Sequence, residues 1–130
     1  MSENLDATSC FQDLLGYRLT EWREGFARIE QEIVPALGNR SGIPHGGVYA
    51  TLLDTAMGYT GVWVPKGQSR VYALTLSLTV NFVGQPKGSR LICDALLTGG
   101  GRSTFFTEAK LHDDLGNLIA TGSGAFRRRA

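Results

Sequence analysis

The stretch NRSGIPHGGVYATLLDTAMG, residues 39–58, passes without a break from a polar, glycine-bearing approach into a helix, and the reading of that helix decides the fold. Tyr49, Leu52, Leu53 and Ala56 fall on one face at about 100° per residue, with Met57 beside them, so the apolar period is helical from 45 to about 61. Gly61, Pro65 and Gly67 mark its end and the loop beyond. The opposite side is unusual. Ala50, Thr51, Asp54, Gly58 and Gly61 form a small or polar stripe where a solvated face would carry a Lys/Glu mixture, and Asp54 is the sole charged side chain between Arg40 and Lys66. Small residues permit close approach, so this side is expected to meet a second surface, most simply another copy of the chain.

Strands flank this helix on both sides. Tyr72, Leu74, Leu76, Leu78, Val80 and Phe82 alternate with Ala73, Thr75, Ser77, Thr79 and Asn81, the pattern of a strand with one apolar face. The helix must bury its own stripe, and the even-numbered face of 72–82 is the expected partner, which leaves Thr75 on the side turned away from the helix. Turn residues at GQPKGS (84–89), GGGR (99–102) and DDLGN (113–117) separate three more strand-like runs: LICDALL, STFFTEAKLH and NLIATGSGAF. Before the helix, YRLTEWREGFARIEQEIV reads as a hairpin turning at Arg23, Glu24 and Gly25, and FQDLLG (11–16) as a short helix or turn after a loose N-terminal dozen. Two strands, one helix and four strands predict an α+β fold, a curved antiparallel sheet with the helix laid across it, as one domain over residues 1–130.

The 130 residues carry 13 basic and 12 acidic side chains, so the net charge of +1 advertises no nucleic acid, anionic membrane or acidic protein and is uninformative about partners; neither nucleic acid nor membrane is expected as one. Seventeen glycines against four prolines indicate tight turns rather than disorder. Two cysteines without a CxxC pair and two histidines make no metal-binding framework. Cys93 sits in an apolar run and reads as core; His112 reads as a strand-end surface residue. MSENLDATSCFQDLL lacks a basic region followed by an apolar core, and no run approaches the roughly 18 apolar residues of a membrane span, so a reducing cytoplasm is the expected setting.

Gly46 and Gly47 stand at the helix start, where backbone N–H groups lack intrahelical partners and the helix dipole is positive. Such donors suit the developing oxyanion of acyl transfer, and losing one costs about 3 kcal/mol of transition-state binding. Asp54 lies eight residues further on, which along a helix is about 12 Å. The two groups cannot reach one carbonyl from the same helix. If they act together, each site takes Gly46 from one subunit and Asp54 from the other, and the protein is a symmetric dimer.

These residues carry a resemblance. Asn39, the run His45-Gly46-Gly47 and Asp54 at this spacing resemble the signature of hotdog-fold acyl-CoA thioesterases of the phenylacetate-degradation (PaaI-like) type. The likeness extends to LLGYRLTEWREGFARIEQEI before the motif and LTLSLTVNFVGQPKGSRLICDA after it, from about Phe11 to Phe126. It implies a hotdog fold, a sheet wrapped around one central helix, with active sites at dimer interfaces and dimers that often pair into tetramers. It implies hydrolysis of an acyl-CoA without metal or organic cofactor, CoA being part of the substrate. In that scheme Asp54 is general base or nucleophile, the Gly46 amide polarises the carbonyl, Asn39 positions carbonyl or water, His45 shapes the loop, and Thr75 matches a position where relatives place a hydroxyl that holds the water. Gly47, Arg102, Ser103 and Lys87 are the candidates for substrate contact, with the basic residues facing the CoA phosphates; Arg90 is a further candidate, while Arg127, Arg128 and Arg129 read as a solvated end. Two rival readings of the scaffold are a non-catalytic acyl-CoA binder or sensor and a hotdog hydratase or dehydratase. Asp54 and Asn39 favour the hydrolase. The acyl group stays open: Tyr59, Trp63 and Phe82 line a pocket or belong to the core.

Overall fold

A computed structural model describes residues 4–129, and in it the helical period becomes α2, Gly46–Thr60, with His45 as its N-cap. Val48, Tyr49, Leu52, Leu53, Ala56 and Met57 are its buried side. Each large apolar side chain of that set contributes about 1.5–3 kcal/mol by leaving water. The surface that receives them is one antiparallel sheet of β1 (Arg18–Arg23), β2 (Phe26–Glu32), β3 (Tyr72–Phe82), β4 (Arg90–Gly100), β5 (Thr104–Asp113) and β6 (Leu118–Arg129), in the spatial order β1-β2-β4-β5-β6-β3. This is the hotdog fold, a curved six-stranded sheet around one long helix. Leu19, Ile29, Leu91, Phe105, Leu111 and Phe126 bring the sheet's half of the core to the helix.

The element order matches the sequence reading, but the face of β3 does not. Against β6, Thr75 pairs with Phe126 and Ser77 with Ala125, so Leu76 is an extra residue in the ladder, a β-bulge. Because side chains alternate with period 2, one inserted residue exchanges the faces. Ala73 and Thr75 therefore face the helix on one side of the bulge, and Leu78, Val80 and Phe82 on the other, whereas Tyr72 and Leu74 turn outward. The expectation of a single even-numbered face against the helix is corrected accordingly.

Three further differences follow from contacts distant in sequence. The loose N-terminal dozen is tied from Asn4 onward: the Leu5 N–H donates to the Leu19 carbonyl at 3.0 Å, and Asn4 Oδ1 accepts from the Leu19 N–H at 2.7 Å and from Gln12 Nε2 at 2.8 Å. A short helix α1, Cys10–Leu15, follows, capped by Ser9. Gly61 leaves the open stripe, since a Cβ there would come within 2.5 Å of the Phe105 ring. Arg127–Arg129 form the end of β6: Arg127 and Arg129 are exposed as expected, but Arg128 is not, donating from Nε to the Gly61 carbonyl at 2.6 Å while lying 4.8 Å over the Phe105 ring.

The loop between β3 and β4 is fastened by one buried carboxylate. Asp113, at the end of β5, accepts from the amides of Lys87 (2.8 Å), Gly88 (3.0 Å), Leu115 (3.0 Å) and Asn117 (2.8 Å) and from Asn117 Nδ2 (2.9 Å). Burial opposes its ionisation, but the Asn117 side chain and the Lys87, Asn117 and Gly88 amides outweigh it and hold the carboxyl well below the usual carboxylate range. A group whose folded pKa is depressed stabilises the fold above its unfolded pKa of about 3.9, and that contribution is lost as pH falls toward the folded value. Asp113→Asn, which sets an amide donor against amide donors, is expected to lower Tm by about 5 °C or more at pH 7. The gap from wild type should narrow as pH drops below about 4, measured by thermal melts across pH.

Candidate active site

The approach to α2 is a small knot. Asn39 N–H donates to the Ile43 carbonyl at 2.7 Å, Gly42 N–H to the Asn39 carbonyl at 3.0 Å, and His45 N–H to the Leu37 carbonyl at 2.8 Å. Asn39 Oδ1 takes the Ser41 N–H at 2.8 Å, an Asx turn, and Gly42 supplies the positive φ of +82° that closes it. Asn39 and His45 are both exposed and border one depression, with Arg40 and Ser41 between them.

The two glycines have separate reasons. His45 Nδ1 accepts the Gly47 N–H at 2.8 Å, and a Cβ on Gly47 would stand 3.0 Å from that nitrogen, so glycine lets the ring fold back over the helix end without being pushed aside. An acceptor at Nδ1 leaves the proton of the neutral ring on Nε2. With the Gly47 donor occupied, the Gly46 N–H is left without a hydrogen-bond partner among the described residues. A Cβ on Gly46 would lie 3.3 Å from the Phe82 ring, so the half-exposed amide sits close against the end of β3.

Asp54 stands two turns along, half-buried, at the mouth of a groove of about 220 Å³ that runs between α2 and the start of β3. Thr75 Oγ1 donates to Asp54 Oδ1 at 2.7 Å. The bulge at Leu76 is what turns Thr75 to this side. Gly58, Tyr59, Arg70, Ala73 and Phe126 continue the groove away from Asp54. Within one chain the Asp54–Thr75 pair and the Gly46 amide remain about 12 Å apart along the helix and do not converge.

The remaining candidates are scattered. Lys87 lies in the loop before β4 and Arg102 and Ser103 in the turn after it, so the 11 residues of β4, roughly 36 Å of strand, separate them. All three are exposed. Arg102 and Ser103 offer their carbonyls to Arg128, and Lys87 offers its amide to Asp113. Phe82 packs on Gly46 and Tyr49, and Tyr59 lines the groove. Cys93 is fully buried, and burial together with the Asp94 charge pushes its thiol well above the usual range, which removes it as a nucleophile. Among the described residues, no three His, Cys, Asp or Glu side chains cluster to hold a metal.

Arg70 and Asp6 join the groove without a signal in the sequence. Arg70 Nη2 pairs with Asp6 Oδ2 at 2.7 Å, and its guanidinium carbon lies 4.6 Å from the Tyr72 ring centre and 5.2 Å from that of Trp22. Tyr59 donates its hydroxyl to the same Asp6 oxygen at 2.8 Å. Burial first, and then that bond, hold the Tyr59 hydroxyl in its protonated form well above its ordinary range.

The chain belongs to the thioesterase superfamily, whose family model matches residues 41–120, from the loop before α2 to the start of β6. No curated protein matches it. Among solved structures it is similar to the conserved protein PA5202 of Pseudomonas aeruginosa, with 25% identity and a TM-score of 0.81 over 94% of this chain and 95% of the other. It is also similar to the BH2602 protein of Bacillus halodurans, solved with CoA, with 27% identity and a TM-score of 0.77 over 95% and 78%. The PaaI protein of the Escherichia coli phenylacetic acid degradation operon shares the fold, with 20% identity and a TM-score of 0.80 over 95% and 86%. No helix among the described residues is long and apolar enough to cross a membrane.

The His45 cap is separable from the chemistry in its effect on stability. His45→Ala is expected to cost about 1 kcal/mol by leaving the Gly47 donor unsatisfied, and His45→Asp to recover most of it, as read from urea unfolding midpoints.

Proposed function

We propose that the protein is an acyl-CoA thioesterase working as a symmetric dimer. Membership of the thioesterase superfamily and the CoA-bound relative support the class of reaction. The observation that carries the arrangement is the division of the machinery along one rigid helix: a hydroxyl-anchored carboxylate at Asp54 and, two turns away, an amide at Gly46 with no partner among the described residues. A second copy brings the halves together. β3 is an edge of the sheet, and Leu74, Leu76 and Leu78 on it are 37–57% exposed, a long apolar edge of the kind that pairs with another chain. Two such edges joined antiparallel about a two-fold axis set the α2 helices side by side, with Asp54 of one facing Gly46 of the other.

In this site the thioester oxygen sits on the Gly46 N–H. Water attacks the carbonyl carbon while Asp54, steadied by Thr75, takes its proton; the oxyanion forms against Gly46 and the positive end of α2. Collapse breaks the carbon–sulfur bond, the CoA thiolate leaves and takes up a proton, and the free acid remains. In the alternative course Asp54 attacks directly and water cleaves the resulting mixed anhydride; both courses need the same two subunits. Asn39 and His45 shape the entry, and Gly47, Arg102 and Ser103 are the proposed contacts to the CoA portion, while Lys87, at the far end of β4, does not join them from the same chain. The free thiols Cys10 and Cys93 fit a reducing cytoplasm.

Asp54→Asn is expected to fold and dimerise as wild type and to lose thioester cleavage by about 100-fold or more in kcat. Thr75→Val should lose about tenfold and Thr75→Ser little. The assay is thiol release from a panel of aryl, short, medium and long acyl-CoAs. Retention of more than a tenth of kcat in Asp54→Asn would remove Asp54 from the chemistry. Bound acyl-CoA without release in wild type would mark a binding protein, and water addition to crotonyl-CoA a hydratase.

A further inference from the structure

Two paths lead away from the reacting carbon, and the structure gives one of them an end. CoA is long and phosphorylated and must run out to solvent. The groove that starts at Asp54 instead follows α2 over an apolar floor of Gly58, Ala73 and Phe126 to Tyr59 and Arg70. Neither of these is free to swing aside. Arg70 is held by Asp6 at 2.7 Å and stacked over Tyr72 and Trp22; Tyr59 is held by Asp6 at 2.8 Å and packed edge-on against Trp22 with ring centres 5.0 Å apart. Trp22 Nε1 in turn donates to the Tyr59 carbonyl at 3.0 Å. Asp6 itself is half-buried and reaches this place because the N-terminal segment is tied to β1.

On the reading that Asp54 serves a thioesterase site, we infer that this groove receives the acyl group and that the Asp6–Arg70–Tyr59 tie is the stop that sets the acyl length, with Gly58 keeping the floor open. A closed cavity of about 150 Å³ holds a six-carbon benzene ring, so the volume of about 220 Å³ that one chain contributes corresponds to about nine carbons. Each methylene buried short of the stop strengthens transition-state binding, about fourfold per group. A longer chain meets a guanidinium that is ion-paired on one edge and faced by aromatic rings, and displacing it breaks the Asp6 pair. Gly58 acts in the opposite sense. A Cβ there stands 3.5 Å from the Phe126 ring and 3.9 Å from the Ala73 Cβ, ordinary contacts, so alanine fits without strain while taking space from the groove.

The test is kcat/KM for straight-chain acyl-CoAs of four to fourteen carbons on wild type, Arg70→Ala, Asp6→Asn and Gly58→Ala, with melting curves and oligomeric state recorded for each. Wild type is expected to rise with length to about eight or nine carbons and to fall tenfold or more by twelve. Arg70→Ala and Asp6→Asn should raise the ratio of twelve-carbon to six-carbon activity by about tenfold. Gly58→Ala should move the break to shorter chains with an unchanged or higher Tm, since alanine is the better helix former, so its effect is not one of misfolding. A length profile that stays the same in all three variants, with wild type active, overturns the stop and leaves the thioesterase reading standing. A wild type that cleaves no acyl-CoA of any length removes both.

Discussion

A straight helix holds residues eight apart at a fixed separation of about 12 Å, and everything proposed for this chain depends on that constraint acting between Gly46 and Asp54. The amide is bared because His45 satisfies its neighbour, and the carboxylate is aimed because Thr75 holds one of its oxygens. Neither group can be brought to the other by side-chain motion. The same rigidity that keeps them apart in one chain makes them complementary in two, since a two-fold axis beside α2 places the start of one helix against the middle of its mate. The half-exposed stripe of Ala50, Thr51, Asp54 and Gly58 leaves room for that approach.

The sheet serves this helix in two ways. Its inner face supplies the core that fixes α2, and the bulge at Leu76 lets a single edge strand show the helix Ala73 and the polar Thr75 at one end and an apolar set at the other. Without the inserted residue, Thr75 would point outward and Asp54 would lack its anchor. The apolar side chains left on the outer and edge surfaces of β3 become the surface offered to a partner.

Much of this was legible in the sequence, for physical reasons. The helical period of 49–57, the alternation of 72–82 and the glycine-rich turns are local signals, and the elements stand where those signals place them. The Gly46 to Asp54 spacing is also local and needed only the helical rise. The bulge was not legible, because alternation in 72–82 continues unbroken through Leu76 and only the pairing with β6 reveals the extra residue. Arg70, Asp6 and Tyr59 meet across 64 and 53 residues, and Asp113 gathers donors from a loop 25 and 26 residues away. No periodicity records such contacts. Charge alone relates Lys87 to Arg102 in the sequence, and the length of β4 sets them at opposite ends of that strand.

Subunit mixing addresses the central claim most directly. Asp54→Asn removes the carboxylate, and Gly46→Pro removes the amide hydrogen at the first helical position, which suits proline once the Phe82 ring yields a few tenths of an ångström to the added Cβ. Each homodimer would carry two broken sites, but a mixed dimer would join the intact Gly46 of one subunit to the intact Asp54 of the other. Refolding the two variants together in equal amounts should therefore return about a quarter of wild-type activity, since half the dimers are mixed and each has one whole site. Activity no higher than that of the separate variants, or full activity in a wild-type monomer, would contradict a site shared between chains.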